Sequence, residues 1–312
     1  MSNQVTKREI LFYYESTYSI PNGDPFTGEQ RYDEDTKKVL VSDVRIKRFI
    51  RDYLENQGND IFVSDKAINT GAKSSEKIGA KTPPESGASA RYKALCKKYE
   101  IGEEDFVKVL ERVIDLRLFG GIITARGNSL SFTGPVQFAL LNPSLNRVNL
   151  RMHQNTSVLV SSTENKQGAI GTTTIVPYSI NQIHGWVNPY AADETLLKEA
   201  DVIEMINALW KSINLANTRS KSNQNSLLLL SINYLANDDK LYGFDKSINI
   251  RPKNKIEEES MRSIEDLSFD FEKLIKLVNN DKIKEVEFYT EDEILKLQLS
   301  KISKLKFNPF NI

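Results

Sequence analysis

Catalytic and metal sites are built mostly from histidine, cysteine, serine and paired carboxylates, and this chain offers few of them in working patterns. It has two histidines, His153 and His184, and one cysteine, Cys96. That number rules out zinc-finger spacing. No Walker phosphate loop, G-x-S-x-G or G-x-G-x-x-G motif occurs. His184 sits in "QIHGWVNPY" beside Trp186 and Tyr190, the setting of a hydrogen-bonded structural histidine. His153 lies in a polar stretch and reads as exposed. Asp24, between Gly23 and Pro25, could coordinate a metal, but an aspartate there more commonly stabilises a turn. No catalytic residue, metal or cofactor is expected.

The chemistry that does appear suits a phosphate-bearing polymer. Glycine-rich turns let backbone amides approach phosphates, because no Cβ intervenes. Two such places stand out: "PNGDP" at residues 21–25 and "FGGII" at residues 119–123. A helix beginning near "SDVRIKRFIRDYLE" has Ser42 as N-cap and Asp43 in its first turn. Its N-terminus favours anions. Lys47, Arg48 and Arg51 share the face opposite Ile46, Phe49, Ile50 and Tyr53. Plain amphipathicity accounts for that pattern equally well. Exposed aromatic and methionine side chains can stack on or wedge between bases.

These residues need a scaffold. Residues 8–18 alternate as a strand, with Ile10, Phe12 and Tyr14 on one face and Leu11 and Tyr13 on the other. "DIFVSDKAI" reads as a short strand. The stretch from Asn69 to Gly87 is polar and rich in Gly, Ser and Pro. "ARYKALCKKYE" and "EEDFVKVLERVIDLRLFG" read as two helices, so 69–119 looks like a helical insertion. A strand follows at Ser129–Leu140, then a long polar β excursion at about Asn142–Gly171, returning as a strand at Thr172–Ile180. Polar strands without a buried face need a partner chain or ligand, or they are disordered. "ADETLLKEADVIEMINALWKSINLA" is a helix, "SLLLLSINYL" a buried strand and "EVEFYT" another. The order β-α-β, insertion, β, excursion, β-α-β gives an α+β chain whose skeleton suits a ferredoxin-like, four-stranded sheet with helices on one face.

Composition sets outer limits. The chain has 312 residues, 39% hydrophobic and 27% charged, which suits a globular protein of one large domain or a core with insertions. Lys+Arg and Asp+Glu both number 42, so the chain lacks the strongly basic total of many nucleic-acid binders. The charge is nevertheless uneven: eight basic residues fall between Lys66 and Lys98, while Phe119–Pro189 holds four basic residues and one acidic, Glu164. No run approaches the roughly 18 apolar residues of a membrane helix, and no apolar leader opens the chain. A lone cysteine cannot form an intramolecular disulfide, so the cytoplasm is the expected compartment and no membrane the expected partner.

Four segments, in order, carry a family resemblance: "NGDP" after the first strand, "VSDVRIKRFIRDYL", "LRLFGGII" leading to "SFTGPVQF", and "GAIGTTTIVPYSINQIHGWVNPY". Over residues 8–240 the chain resembles the backbone subunit of type I CRISPR Cascade complexes (the Cas-seven family), nearest its I-B and I-C branch. The resemblance implies an RRM-like palm at 1–68, 120–141 and 172–312, the last including a C-terminal extension. It implies helical fingers or web at 69–119 and a hairpin thumb at 142–171. It further implies a non-catalytic subunit that oligomerises along CRISPR RNA and presents it to a target DNA strand, while a recruited helicase-nuclease cuts. Expected partners are adjacent copies of itself, the subunit capping the guide 5' end, the large subunit and the repeat-processing endonuclease.

Carried onto this chain, the resemblance implies phosphate contacts from Ser42, Lys47, Arg48 and Arg51, and from Arg219 and Lys221 in "RSK". It implies close backbone approach at Gly120 and Gly121, and a loop beside the RNA at Asn22, Gly23 and Asp24. Met152 and Gly168, Ile170 and Gly171 of "GAIG" are the wedge candidates. Val44 stands where some relatives carry a polar residue. The competing expectation is a metal-dependent ribonuclease resembling type III backbone subunits, with Asp24 or Asp43 as the acid. A third is a monomeric RRM-like RNA binder.

Overall fold

Twelve residues near the N-terminus organise the molecule. In the computed structural model, which describes residues 5–66, 68, 87–125, 128–156, 170–310 and 312, strand β1 (Arg8–Ser19) leads to short strands β2 (Tyr32–Asp33) and β3 (Lys38–Ser42) and helix α1 (Asp43–Asn56). Helices α2 (Ala88–Tyr99), α3 (Phe106–Arg112) and α4 (Ile114–Phe119) follow. Next come β4 (Gly120–Ala125), β5 (Asn128–Thr133), β6 (Val136–Phe138), β7 (Leu141–Pro143), β8 (Arg151–Thr156) and β9 (Ile170–Val187). Helices α5 (Pro189–Thr195) and α6 (Glu199–Asn214) precede β10 (Gln224–Tyr234). The C-terminal part holds β11 (Asn249–Pro252), β12 (Leu267–Asp270), α7 (Glu272–Leu277), β13 (Ile283–Tyr289), α8 (Glu293–Leu299) and β14 (Leu305–Phe307).

The main sheet runs β14-β13-β10-β1-β9-β6, and β8 pairs with the first part of β9. β1 is central and antiparallel to both neighbours, with Phe12 opposite Ile183 and Leu229. Ile10 to Tyr14 are at most 1% exposed, so both faces of this strand are buried. Ile10, Phe12 and Tyr14 face one core, filled by Ile46, Phe49 and Ile50 of α1 and by Met205, Leu209, Trp210 and Ile213 of α6. Leu11 and Tyr13 face a second core, where Leu230 and Ile232 meet Phe244, Leu274, Val286 and Leu299. The C-terminal segment therefore covers the sheet face opposite α1 and α6. A third cluster lies within the helical insertion, joining Tyr92, Leu95, Cys96, Val109 and Leu116 to Ile123 of β4.

Four elements differ from their sequence reading. Residues 61–66 form no strand. Their backbone groups turn to side chains instead: the Asp115 carboxylate accepts from the Phe62 and Val63 amides at 2.7 and 3.1 Å, and Arg91 donates to the Ile61 carbonyl. The second insertion helix is two, broken at Val113 (φ −117°, ψ 101°). Arg117 reaches back to the Leu110 and Glu111 carbonyls freed by that break. The strand expected at Ser129–Leu140 is interrupted at Gly134-Pro135. A Cβ at Gly134 would lie 2.0 Å from the Phe119 carbonyl carbon, and one at Gly120 (φ +71°) 2.4 Å from the Gly134 nitrogen. The two glycines thus let the start of β4 cross the end of β5. The returning strand is longer than expected, running unbroken from Ile170 to Val187. No described helix is long and apolar enough to cross a membrane.

Candidate nucleic-acid interface

The loop after β1 closes on itself and on α1. The Asn22 side-chain oxygen accepts from both the backbone amide and the hydroxyl of Ser42, each at 2.7 Å. Ser42 in turn caps α1 by accepting from the Arg45 amide. Gln30 accepts from the Asn22 amide at 2.9 Å and donates to the Leu40 carbonyl. The Asp24 carboxylate accepts from the Phe26 amide at 2.9 Å and the Thr27 amide at 3.3 Å, and pairs with Arg31 at 3.0 Å. The Phe26 amide, with help from Thr27 and Arg31 against partial desolvation, holds that carboxyl below its usual range. "PNGDP" is therefore a self-satisfied turn whose first polar side chain, Asn22, fixes the start of α1.

The basic residues of α1 divide by partner. Lys47 bonds the Gln137 side chain at 2.9 Å and Asp43 at 3.4 Å, against the ring of Phe119. Arg51 is tied to the fully buried Asp115 at 2.9 Å. Both are spent holding α1 to α4 and β6. Arg48 is half-exposed between Asp52 at 2.6 Å and Asp65 at 3.1 Å. Burial works against its charge, yet the two aspartates hold its pKa above the usual value. Arg45, which the sequence reading passed over, has no ion pair with a described residue. Its guanidinium lies 3.9 Å from the centroid of the Phe49 ring, and its Nε has no hydrogen-bond partner. Burial lowers its pKa, opposed by Tyr14 and Asp52. The signal that could have found it is its place one turn before Arg48, at the third position of the helix, within the first turn after the Ser42 N-cap.

Three clefts run in succession past these groups. One of about 680 Å³ lies between the 22–31 loop, the first turns of α1 and Leu140–Leu141. Arg45 and Arg48 also line a second, of about 360 Å³, closed by Thr218 and Lys221. The next residues along, Arg219 and Ser220, line a third of about 760 Å³ at the root of the β8–β9 hairpin, with Met152 and Arg151. Met152 is 79% exposed there, so two wedge and phosphate candidates from the sequence, Met152 and Arg219, share one cleft. Lys221 is buried, and its ammonium donates to the Ile20 carbonyl. Burial, with Arg45 nearby, pushes its pKa down to about 8.

The remaining candidates are placed as follows. Gly120 and Gly121 face protein: the first meets the β5 backbone and a Cβ on the second would touch Leu116 at 3.0 Å. Gly171 is exposed with nothing near its Cβ position, Ile170 opens β9, and Gly168 lies outside the described residues. His184 is hydrogen-bonded to the buried Glu9 at 2.6 Å and packs on Trp186. Among the described residues no group of three His, Cys, Asp or Glu side chains is placed to hold a metal.

Comparison with known proteins gives the family. Residues 6–272 match the family model described as CRISPR-associated protein Cas7. A curated relative, the CRISPR-associated protein Cas7 of Haloferax volcanii, is 26% identical over 294 residues, covering 87% of this chain and 82% of its own. The fold resembles a chain of a "CRISPR RNA-guided surveillance complex, pre-nicking" (TM-score 0.53, 14% identity, 98% of this chain and 97% of the other). It also resembles one of a "CRISPR RNA-guided surveillance complex" (TM-score 0.54, 13% identity, 98% and 96%). Since the family model spans everything from β1 through β12, this chain belongs to the Cas7 family of CRISPR-associated proteins.

Proposed function

We propose that the chain is a non-catalytic backbone subunit of a CRISPR RNA-guided surveillance complex, of the I-B/I-C type, that binds the guide RNA along the three clefts and presents it to a target DNA strand. The observation that carries this is the run of clefts edged by arginines with no ion partner among the described residues, Arg45, Arg151 and Arg219. Cations held without carboxylates suit a polyphosphate backbone, and contacts to phosphate carry no base preference. Sequence specificity then comes from base pairing by the guide.

The connectivity supports an RRM-like palm. β1, α1, β6, β9, α6 and β10 occur in that order, and their strands lie β10-β1-β9-β6, all antiparallel. This is the ferredoxin-like order, with α1 and α6 on one face. The β8–β9 hairpin serves as thumb and α2–α4 as fingers. The opposite face of the sheet, which a free-standing RRM offers to RNA, is covered here, so RNA runs along the edge formed by α1, the 218–221 loop and the hairpin root. Neighbouring copies, the guide-capping and large subunits and the repeat-processing endonuclease are the protein partners, and the cytoplasm the compartment. The ribonuclease reading is not favoured: Asp24 is engaged by two amides and Arg31, and Asp43 by Lys47.

Light scattering with guide RNAs of increasing length tests the proposal. Masses that climb stepwise with RNA length, with nuclease protection at a regular interval, support it. A fixed one-to-one complex removes it in favour of a monomeric RNA binder. Regular Mg²⁺-dependent cuts in a paired RNA, lost in Asp24→Ala, would make the protein the ribonuclease instead.

A further inference from the structure

β1 ends in a distortion. Tyr18 has φ +47°, a left-handed conformation that side chains with a Cβ rarely adopt and aromatic ones less still. The register explains how it arises. Thr17 pairs with Tyr178 and Ser19 with Val176, which sets Tyr18 opposite Pro177, a residue with no amide to donate. The backbone on either side is pinned: the Thr17 amide donates to the Asn223 carbonyl at 2.9 Å and the Ile20 amide to the Ser220 carbonyl at 2.8 Å. The strand is thus held before and after one residue that is turned out of it.

A tyrosine placed at such cost and then left in solvent gains nothing from the fold itself. Its neighbours Ser16 and Ser19 are buried, yet Tyr18 is 51% exposed. It lines the cleft at the hairpin root, across which stands Met152, itself 79% exposed. Arg151 and Arg219 also line the cleft, and no carboxylate does among the described residues. Neither arginine has an ion pair with a described residue. An aromatic face, a polarizable thioether and unpaired guanidinium groups in one cleft match one ligand chemistry: a single unstacked nucleotide, its base on the ring and its phosphate on an arginine.

We propose that Tyr18 is a stacking platform for one unpaired nucleobase of a single-stranded RNA, which enters between Tyr18 and Met152 with its phosphate toward Arg219. This deepens the RNA-binding reading above and rests on it. Specificity for base identity is not expected, because every base has a π-face.

The test uses Tyr18→Gly, because glycine is at ease at φ +47° and the variant is expected to fold and to melt no lower than the parent. Two probes are titrated: a short oligouridine, and an abasic oligoribonucleotide of the same length and charge. Tyr18→Gly is expected to lose about 10-fold in affinity for the oligouridine, the worth of one base stack. Its affinity for the abasic probe should match that of the parent, and Tyr18→Trp should restore oligouridine binding. Equal oligouridine binding by Tyr18→Gly and the parent overturns the proposal while leaving the RNA-binding reading intact. So does an equal loss on both probes, which would mark Tyr18 as merely shaping the cleft. If the parent binds neither probe, the RNA-binding reading fails and takes this proposal with it.

Discussion

Replacing Asp115 by alanine should be among the most damaging single changes in this protein, and the reason is legible atom by atom. Asp115 is fully buried. Its two oxygens accept from the Arg51 Nε at 2.9 Å, the Phe62 amide at 2.7 Å and the Val63 amide at 3.1 Å. One side chain therefore joins α1, α4 and the irregular segment 61–66. Breaking a buried ion pair by removing one partner costs about 3–5 kcal/mol. Each buried amide left without an acceptor adds about 1–3 kcal/mol. Relaxation limits the total, since Arg51 also lines the 680 Å³ cleft and its freed guanidinium can turn outward. About 4 kcal/mol is the resulting expectation. At ~2.1 cal/mol/K of unfolding entropy per residue, a chain of this length loses roughly 6 °C in melting midpoint for ~4 kcal/mol. Differential scanning fluorimetry on parent, Asp115→Ala and Asp115→Asn reads it directly. The asparagine variant keeps one acceptor and should fall between the other two. A midpoint for Asp115→Ala within about 1 °C of the parent would refute the role given to Arg51 and Asp115.

Arg45→Ala should lower the slope of log affinity against log salt for single-stranded RNA by about 0.7, one phosphate contact, whereas Lys47→Gln should leave the slope unchanged. Salt titrations of both variants decide between them. Gly134→Ala should cost about 3 kcal/mol, because the new Cβ meets the Phe119 backbone rather than a movable side chain. Gly171→Ala, with open space around it, should stay within about 0.5 kcal/mol in urea denaturation. Lys221 gives a pH signature. Its folded pKa of about 8 lies below the ordinary lysine value of 10.5, so between those values the unfolded chain binds more protons and stability rises with pH. The advantage of Lys221→Met over the parent should therefore be largest below pH ~8 and shrink steadily toward ~10.5. An advantage that does not vary with pH would mean that Lys221 is not desolvated.

What could be read from the sequence was local. The apolar run at Ile10–Tyr14 announced a strand, and Ser42 with Asp43 announced the start of α1, because strand burial and helix capping are written in neighbouring residues. Segment 61–66 was misread because its hydrogen-bond partners lie some 30 and 50 residues away, at Arg91 and Asp115. The basic face of α1 looked uniform for the same reason. Nothing in "RIKRFIR" reveals that Gln137 and Asp115 claim Lys47 and Arg51 while Arg45 stays unclaimed. Tyr18 carried no signal at all, since its backbone conformation depends on pairing with a strand that begins about 150 residues later.

The central position of β1 bears on how the chain is made. This strand leaves the ribosome well before its two neighbours, β9 and β10, which are complete only at Val187 and Tyr234. About 200 residues separate the end of β1 from the end of β10, a wait of roughly 10–40 s at ~5–20 residues/s. Until β9 emerges "ILFYY" has no edge to pair with, and one of its own edges stays open until β10 follows. Such a segment, rich in β-branched and aromatic residues and free of charge, is a template for intermolecular strand pairing. The flanking Lys7, Arg8 and Glu9 act as its gatekeepers, and a nascent chain stalled before β10 is the species most prone to aggregate. Co-expression with a trigger-type chaperone, or slower translation after β10 rather than before it, should raise the yield of soluble protein.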